Sequence, residues 1–443
     1  MAEVKGAKGT CPRRANPRYG TAIRMIYYYR SQEYFFDASL YETGGLRPAN
    51  SRSAVAASGW RKGRRNGTLA AMDSGSVSRG SAVRTGVAAA CLFAVFVTLA
   101  GEADVRAGPA FPSLNERVID SYVVPHFEKL AKATHRLTED LSRTCRGEPR
   151  AAKAARKDFN ETVLAWAGVE FLRFGPMSET GRPERFSYWP DPRGVMQRQL
   201  QALIARRDAT ALDADSLAKK SVAVQGLPAL EALLTDTEHP ITGDDEEARY
   251  RCQLAGAIAQ NLDSIARGIL SDWSGEQGWR RRMLEPGPQN TNYKTSVEPA
   301  ADFARALITG LQMIQDRQVA PMIAAVATPD KPLRLPFSRS QLSARYIAAG
   351  VASNKELYEA MDLANAMPKE KLWMPRWIAS AFERLAHDAP AAVEGSVGAA
   401  DKSERARALR MVRFHVEGIR KLVGREIAPL AGLTIGFNEL DGD

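Results

Sequence analysis

The chain of 443 residues has little histidine, with five, and little cysteine, with four. His126, His135, His239, His387 and His415 never take the His-Glu-x-x-His spacing that aims two imidazoles at one metal. His126 and His135 lie nine apart and His415 and Glu417 two apart, so neither pair shares a helix face. A Gly-x-Ser-x-Gly nucleophile elbow is missing, as is a Gly-x-x-x-x-Gly-Lys-Ser/Thr phosphate loop. Alternating apolar and polar runs are scarce, which argues against a Rossmann domain. After residue 107 no apolar run approaches the length of a membrane span.

Positive charge is present but confined. The formal net charge is +10. Residues 1–71 hold 13 Lys+Arg against 4 Asp+Glu, and residues 108–443 hold 45 against 44. The body of the chain is thus near neutral, which removes the electrostatic case for a nucleic-acid partner. The basic leader reads either as a disordered arm or as sequence upstream of a true start at Met72; the second reading is the simpler. From Met72 the pattern is that of a secretory signal over residues 72–107. Arg79 and Arg84 precede an apolar run from Val87 to Leu99, and Val105-Arg106-Ala107 offers small residues for cleavage. An uncleaved anchor is the alternative. Either way, the residues from Gly108 onward are expected outside the cytoplasm, in the periplasm. Of the cysteines only Cys145 and Cys252 follow the signal. An even pair in an exported protein predicts one disulfide.

Ala, Leu, Arg and Glu dominate the rest, with apolar residues recurring at three and four. The periodicity predicts helices over 114–144 (bent near Pro125), 151–174, 195–206, 248–282, 297–325, 341–367, 369–389 and 403–427. Ser338 is the expected N-cap of the 341–367 helix. Glu285-Pro-Gly-Pro-Gln289 is a strong breaker and marks the expected boundary between an N-terminal bundle, 108–287, and a C-terminal bundle, 288–443. The expected fold class is all-α, as two packed helical bundles.

Ser221-Val-Ala-Val-Gln-Gly-Leu-Pro-Ala-Leu-Glu-Ala-Leu-Leu234 is apolar on almost every side and should be buried. Pro228 forces a break or restart, and Gly226 tolerates it. Glu231 is then a carboxylate in an apolar turn, with Gln225 across the break. In the 151–174 segment Trp166, Glu170 and Arg173 would share one helix face, and Glu170 could pair with Arg173. Tyr188 and Arg193 follow in a loop that could close over them. Glu231, Gln225, Gly226, Glu170, Arg173, Tyr188 and Arg193 form the candidate ligand-binding set, suited to a small polar or anionic ligand. A buried ion-pair network that only fixes helix register explains the same residues equally well.

Gly226, Pro228 and Glu231 resemble the Gly-x-His-x-x-Glu signature of the imelysins, with proline in the histidine position. Phe171-Leu-Arg-Phe-Gly-Pro176, Tyr188-Trp-Pro-Asp191 and the ending Ile435-Gly-Phe-Asn438 with Leu440-Asp-Gly-Asp443 are similar to other parts of that family. The resemblance runs over roughly 114–443. It implies a helical periplasmic protein linked to iron acquisition, with an iron-related species as a candidate ligand. It also implies a metallopeptidase, for which half of the His-Glu pair is missing; no catalytic residue or cofactor is assigned. A structural envelope protein docked to a partner is the third reading.

Overall fold

The computed structural model describes residues 110–328, 333–394 and 402–436. The leader and signal, the connector around 329–332 and the last seven residues lie outside the described residues. Every regular element among the described residues is helical. None is long and apolar enough to cross a membrane.

The first predicted helix is three pieces: α1 (Phe111–Val118), a π turn (Ile119–Val123) and α2 (Val124–Cys145). The bend expected at Pro125 is taken up by that π turn. The same grammar recurs twice. A π segment at Gln315–Val319 precedes Pro321, and one at Leu422–Ile427 precedes Pro429. A proline ring collides with the carbonyl four residues back and supplies no N–H to it. One extra residue in the preceding turn moves that carbonyl aside and lets the helix continue.

Next come α3 (Ala151–Ala167), α4 (Arg182–Phe186), α5 (Val195–Arg206), α6 (Ala214–Leu217), α7 (Leu227–Thr235) and α8 (Glu246–Ser274). The 248–282 helix stops early, because Gly275 and Gly278 break it before α9 (Trp279–Leu284). The second half holds α10 (Val297–Ile314), α11 (Ala320–Ala327), α12 (Ser343–Met361), α13 (Trp373–Glu394), α14 (Lys402–Lys421) and the short α15 (Ala428–Leu430). Ser338 does not cap α12: Leu342 holds the cap position, without a side-chain bond, and Ser338 lies in the turn before it.

α2 packs along α3 and α8, and α7 along α8. In the second half α12 packs on α13, and α13 on α14. α12 also lies against α3 and α1, and α10 against α1. Trp166, Trp273, Tyr122, Phe127 and Phe303 are among the fully buried side chains of one continuous apolar cluster. A disulfide joins Cys145, ending α2, to Cys252 in the second turn of α8, with Cα atoms 5.7 Å apart.

Candidate functional site

The break before Glu231 is enforced by packing. A Cβ on Gly226 would lie 2.5 Å from the Phe186 carbonyl oxygen and 2.8 Å from that of Arg185. Only glycine allows this approach. Pro228 then falls in the first turn of α7, where a missing N–H costs nothing. Gln225 clips the break from inside. Its Oε1 accepts from Arg185 Nε at 3.1 Å, and its Nε2 donates to the carbonyls of Lys220 and Ala218 at 2.6 and 3.2 Å. Its side-chain polar atoms are therefore all engaged within the protein.

Glu231 is 5% exposed. Its partner is neither an arginine nor a nearby helix. Oε1 accepts from the Ser340 N–H at 2.9 Å and from Ser340 Oγ at 2.6 Å. Burial pushes this carboxyl above the ordinary glutamate range, against the pull of the Ser340 bonds and the Arg339 charge. The segment it holds is strained: Phe337 and Gln341 have φ of 55° and 59°, a region non-glycine residues rarely occupy.

Glu170 behaves in parallel. The helix expected over 151–174 ends at Ala167, so Glu170 and Arg173 occupy the turns after α3 rather than a helix face with Trp166. Gly168 explains the ending. Its carbonyl accepts from Tyr122 Oη at 2.7 Å, and a Cβ there would meet the His126 ring at 2.8 Å. Glu170 Oε1 accepts from Tyr346 Oη at 2.6 Å. Burial raises its carboxyl as well, opposed by the charges of Arg317 and Arg173 and by the tyrosine bond. The expected Glu170–Arg173 side-chain pair does not form. Arg173 Nε donates to the Glu170 backbone carbonyl at 2.8 Å, and Nη1 donates to Glu184 at 3.0 Å.

One segment of the second half therefore reaches both carboxylates, the buried Glu231 through Ser340 and the half-buried Glu170 through Tyr346. The Phe337 and Tyr346 rings pack edge to face, 4.8 Å apart, within it. Tyr188 is half-buried and Arg193 exposed; neither is hydrogen-bonded to Glu170, Arg173, Gln225 or Glu231. Ser340 and Tyr346 had no signal in the sequence, because their partners lie 109 and 176 residues away. Arg317 did have one: Gln315-Asp-Arg-Gln318 is a polar run inside an apolar helix just before Pro321.

Arg173 also lines a cavity of about 460 Å³, together with Gly175, Trp279, Tyr293, Asp302 and Arg305. The acids around it already have partners. Asp302 accepts from Tyr293 Oη at 2.8 Å and pairs with Arg305. Glu298 accepts from the Lys294 N–H at 3.0 Å and from Thr295 Oγ1 at 3.1 Å. Gly175, at φ 59°, brings the backbone against Trp273 and Trp279.

The family model of imelysin matches residues 123–412, which span this whole arrangement. The chain belongs to the imelysin family. Its fold resembles that of an imelysin-like protein from Psychrobacter arcticum 273-4, at 20% identity and TM-score 0.58, over 74% of this chain and 97% of that one. It also resembles a putative iron-regulated protein A precursor from Parabacteroides distasonis ATCC 8503, at 11% identity and TM-score 0.55, over 71% and 96% of the two chains. No curated protein matches. The peptidase sense of the family's model implies a metal, and the residues here do not fit one. Position 228 is proline and offers no donor. Glu231 is turned to Ser340, and among the described residues no three His, Cys, Asp or Glu side chains converge.

Proposed function

We propose that this imelysin is an exported binding or accessory protein of iron acquisition, and that it holds a small anionic ligand rather than cutting peptides. The observation that carries the reading is the cavity beside Arg173. Two guanidinium groups, Arg173 and Arg305, border it; each gives Nη1 to an acid, Glu184 and Asp302, and each keeps Nη2 without a bond among the described residues, while Glu298 is held by Lys294 and Thr295. The guanidinium fork matches carboxylate geometry, and Trp279 supplies a flat apolar wall. The ligand class is a carboxylate-bearing molecule, free or as its iron chelate. Of the residues expected at a site, Arg173 borders this space and Glu170 anchors Arg173 through its backbone carbonyl. The link to iron draws on the name of the Parabacteroides relative and on the family; export draws on the signal-like leader.

Hydrolysis by a bound metal requires about three protein ligands and an open water position. With proline in the signature's histidine position, Glu231 has no ligating neighbour on its helix. The test is calorimetry with citrate and ferric citrate on the wild type and on Arg305→Gln, alongside metal content and a peptide-cleavage assay. Binding that weakens at least tenfold in Arg305→Gln supports the reading. Stoichiometric zinc with peptide cleavage, or failure of both citrate forms to bind, overturns it.

A further inference from the structure

The near-neutral charge of the chain after residue 107 conceals one strongly basic element. Residues 402–425 hold 8 Lys+Arg against 2 Asp+Glu, a net of +6, whereas residues 108–443 together hold 45 against 44, a net of +1. The buried side of α14 is Leu409, Val412, Val416 and Ile419. Its outer stripe, at spacings of three and four, is Arg407, Arg410, Met411, Phe414 and Lys421. Met411 is 43% and Phe414 57% exposed. Arg413 pairs with Glu417, but Arg407, Arg410, Lys421 and Arg425 are exposed and form no ion pair among the described residues.

Packing builds the apolar part of this face. Trp377 of α13 lies across Gly418, where a Cβ would come 2.2 Å from its ring. Phe414 stands edge-on to Trp377, with centroids 6.3 Å apart at 80°. One turn earlier on α13, Trp373 is 41% exposed. Aromatics and methionine thus form a ridge with guanidinium and ammonium groups on the same face.

We propose that this ridge docks the protein on an anionic phospholipid surface. Met411, Phe414 and Trp373 enter the boundary between headgroups and acyl chains, and the four unpaired cations meet lipid phosphates. The chemistry favours a bilayer over a protein. The ridge combines flexible cationic side chains with interfacial aromatics and does not border the cavity beside Arg173. Such a face suits a planar partner that needs no matched groove.

The experiment is hydroxyl-radical footprinting of the full chain with vesicles of phosphatidylglycerol and phosphatidylcholine, read at Met411 and Phe414, with pure phosphatidylcholine vesicles as the matched control. This readout is local, so binding by the leader does not enter it. Oxidation at both positions should fall at least threefold on anionic vesicles only, and 0.5 M salt should restore much of it. Arg407→Gln/Arg410→Gln should weaken the partition about 25-fold, from roughly fivefold per cation. Equal oxidation with and without anionic lipid overturns the proposal. So does protection by an envelope protein extract but not by vesicles, which would assign the ridge to a protein partner.

Discussion

Glu231 and Ser340 offer the sharpest test of what the buried carboxylate does. One oxygen of Glu231 accepts two bonds, from the Ser340 N–H and its hydroxyl, at 2.9 and 2.6 Å. Glu231→Ala strands the Ser340 N–H, costing about 1–3 kcal/mol, and shifts the Ser340 hydroxyl to its longer bond with the Phe337 carbonyl at 3.2 Å, for about 1 kcal/mol more, while relieving the burial of an acid. The net expected loss is about 2–4 kcal/mol. At roughly 2 °C per kcal/mol for a chain of this size, the melting temperature should fall by about 4–8 °C. Glu231→Gln keeps an acceptor and loses only the charge, so about 1 kcal/mol is expected. Ser340→Ala removes the hydroxyl bond alone, for a loss of about 1 kcal/mol. The double variant Glu231→Ala/Ser340→Ala should lose less than the sum of the singles, by about 1 kcal/mol. Two positive-φ residues, Phe337 and Gln341, flank the bond, so limited proteolysis should open at 337–341 in Glu231→Ala. Citrate binding by Glu231→Gln should be unchanged, because Glu231 does not line the cavity. Strictly additive effects would refute the reasoning, and so would a Glu231→Gln protein that is fully stable but no longer binds.

Four further outcomes follow from the geometry. Non-reducing mass spectrometry should find Cys145 linked to Cys252, and removing this 107-residue closure should cost up to about 4–5 kcal/mol; free alkylation of both thiols in the native protein would contradict it. Glu170 and Glu231 both have carboxyls raised by burial, so the folded state holds their protons more tightly than the unfolded chain. Their contribution is full below the ordinary glutamate value of 4.5 and is lost as pH rises through the raised folded values. The stability gap between wild type and Glu170→Gln/Glu231→Gln should therefore shift in favour of the variant as pH rises, in thermal melts run across that range. Asp208 works the other way: bonds from Thr210 and Lys220 hold it at about 2, so its contribution appears above 3.8 and is lost as pH falls. Gly226→Ala should disrupt folding, since the added methyl meets backbone rather than a flexible side chain; a soluble variant with a wild-type melt would remove the packing argument.

Much of the fold was legible because it rests on local rules. Helix α5 spans 195–206 as its periodicity predicted, and the restart at Pro228 follows from proline chemistry alone. The errors have non-local causes. The 151–174 segment kept its apolar period to Phe174, yet α3 ends at Ala167, where the chain passes beneath His126 and Tyr122. That early end takes Glu170 and Arg173 off the helix face on which their pairing depended. Ser340 and Tyr346 are ordinary residues in sequence, and only tertiary packing gives them their roles. Glu231 was recognisable as an acid needing a partner, but nothing local said that the partner was a serine hydroxyl and a backbone amide.

The reach of residues 336–346 back to the first half has a consequence in time. Glu170 and Glu231 are made 176 and 109 residues before the groups that accept them into the interior. At about 5–20 residues per second, Glu170 waits roughly 9–35 s for Tyr346 during synthesis. Until then closure of the apolar segments around both acids carries a cost, since a hydrated carboxylate is cheaper than a buried one without donors. The two acids thus oppose closure of the segments around them until the later half supplies their donors, a hydroxyl to Glu170 and a hydroxyl with an amide to Glu231.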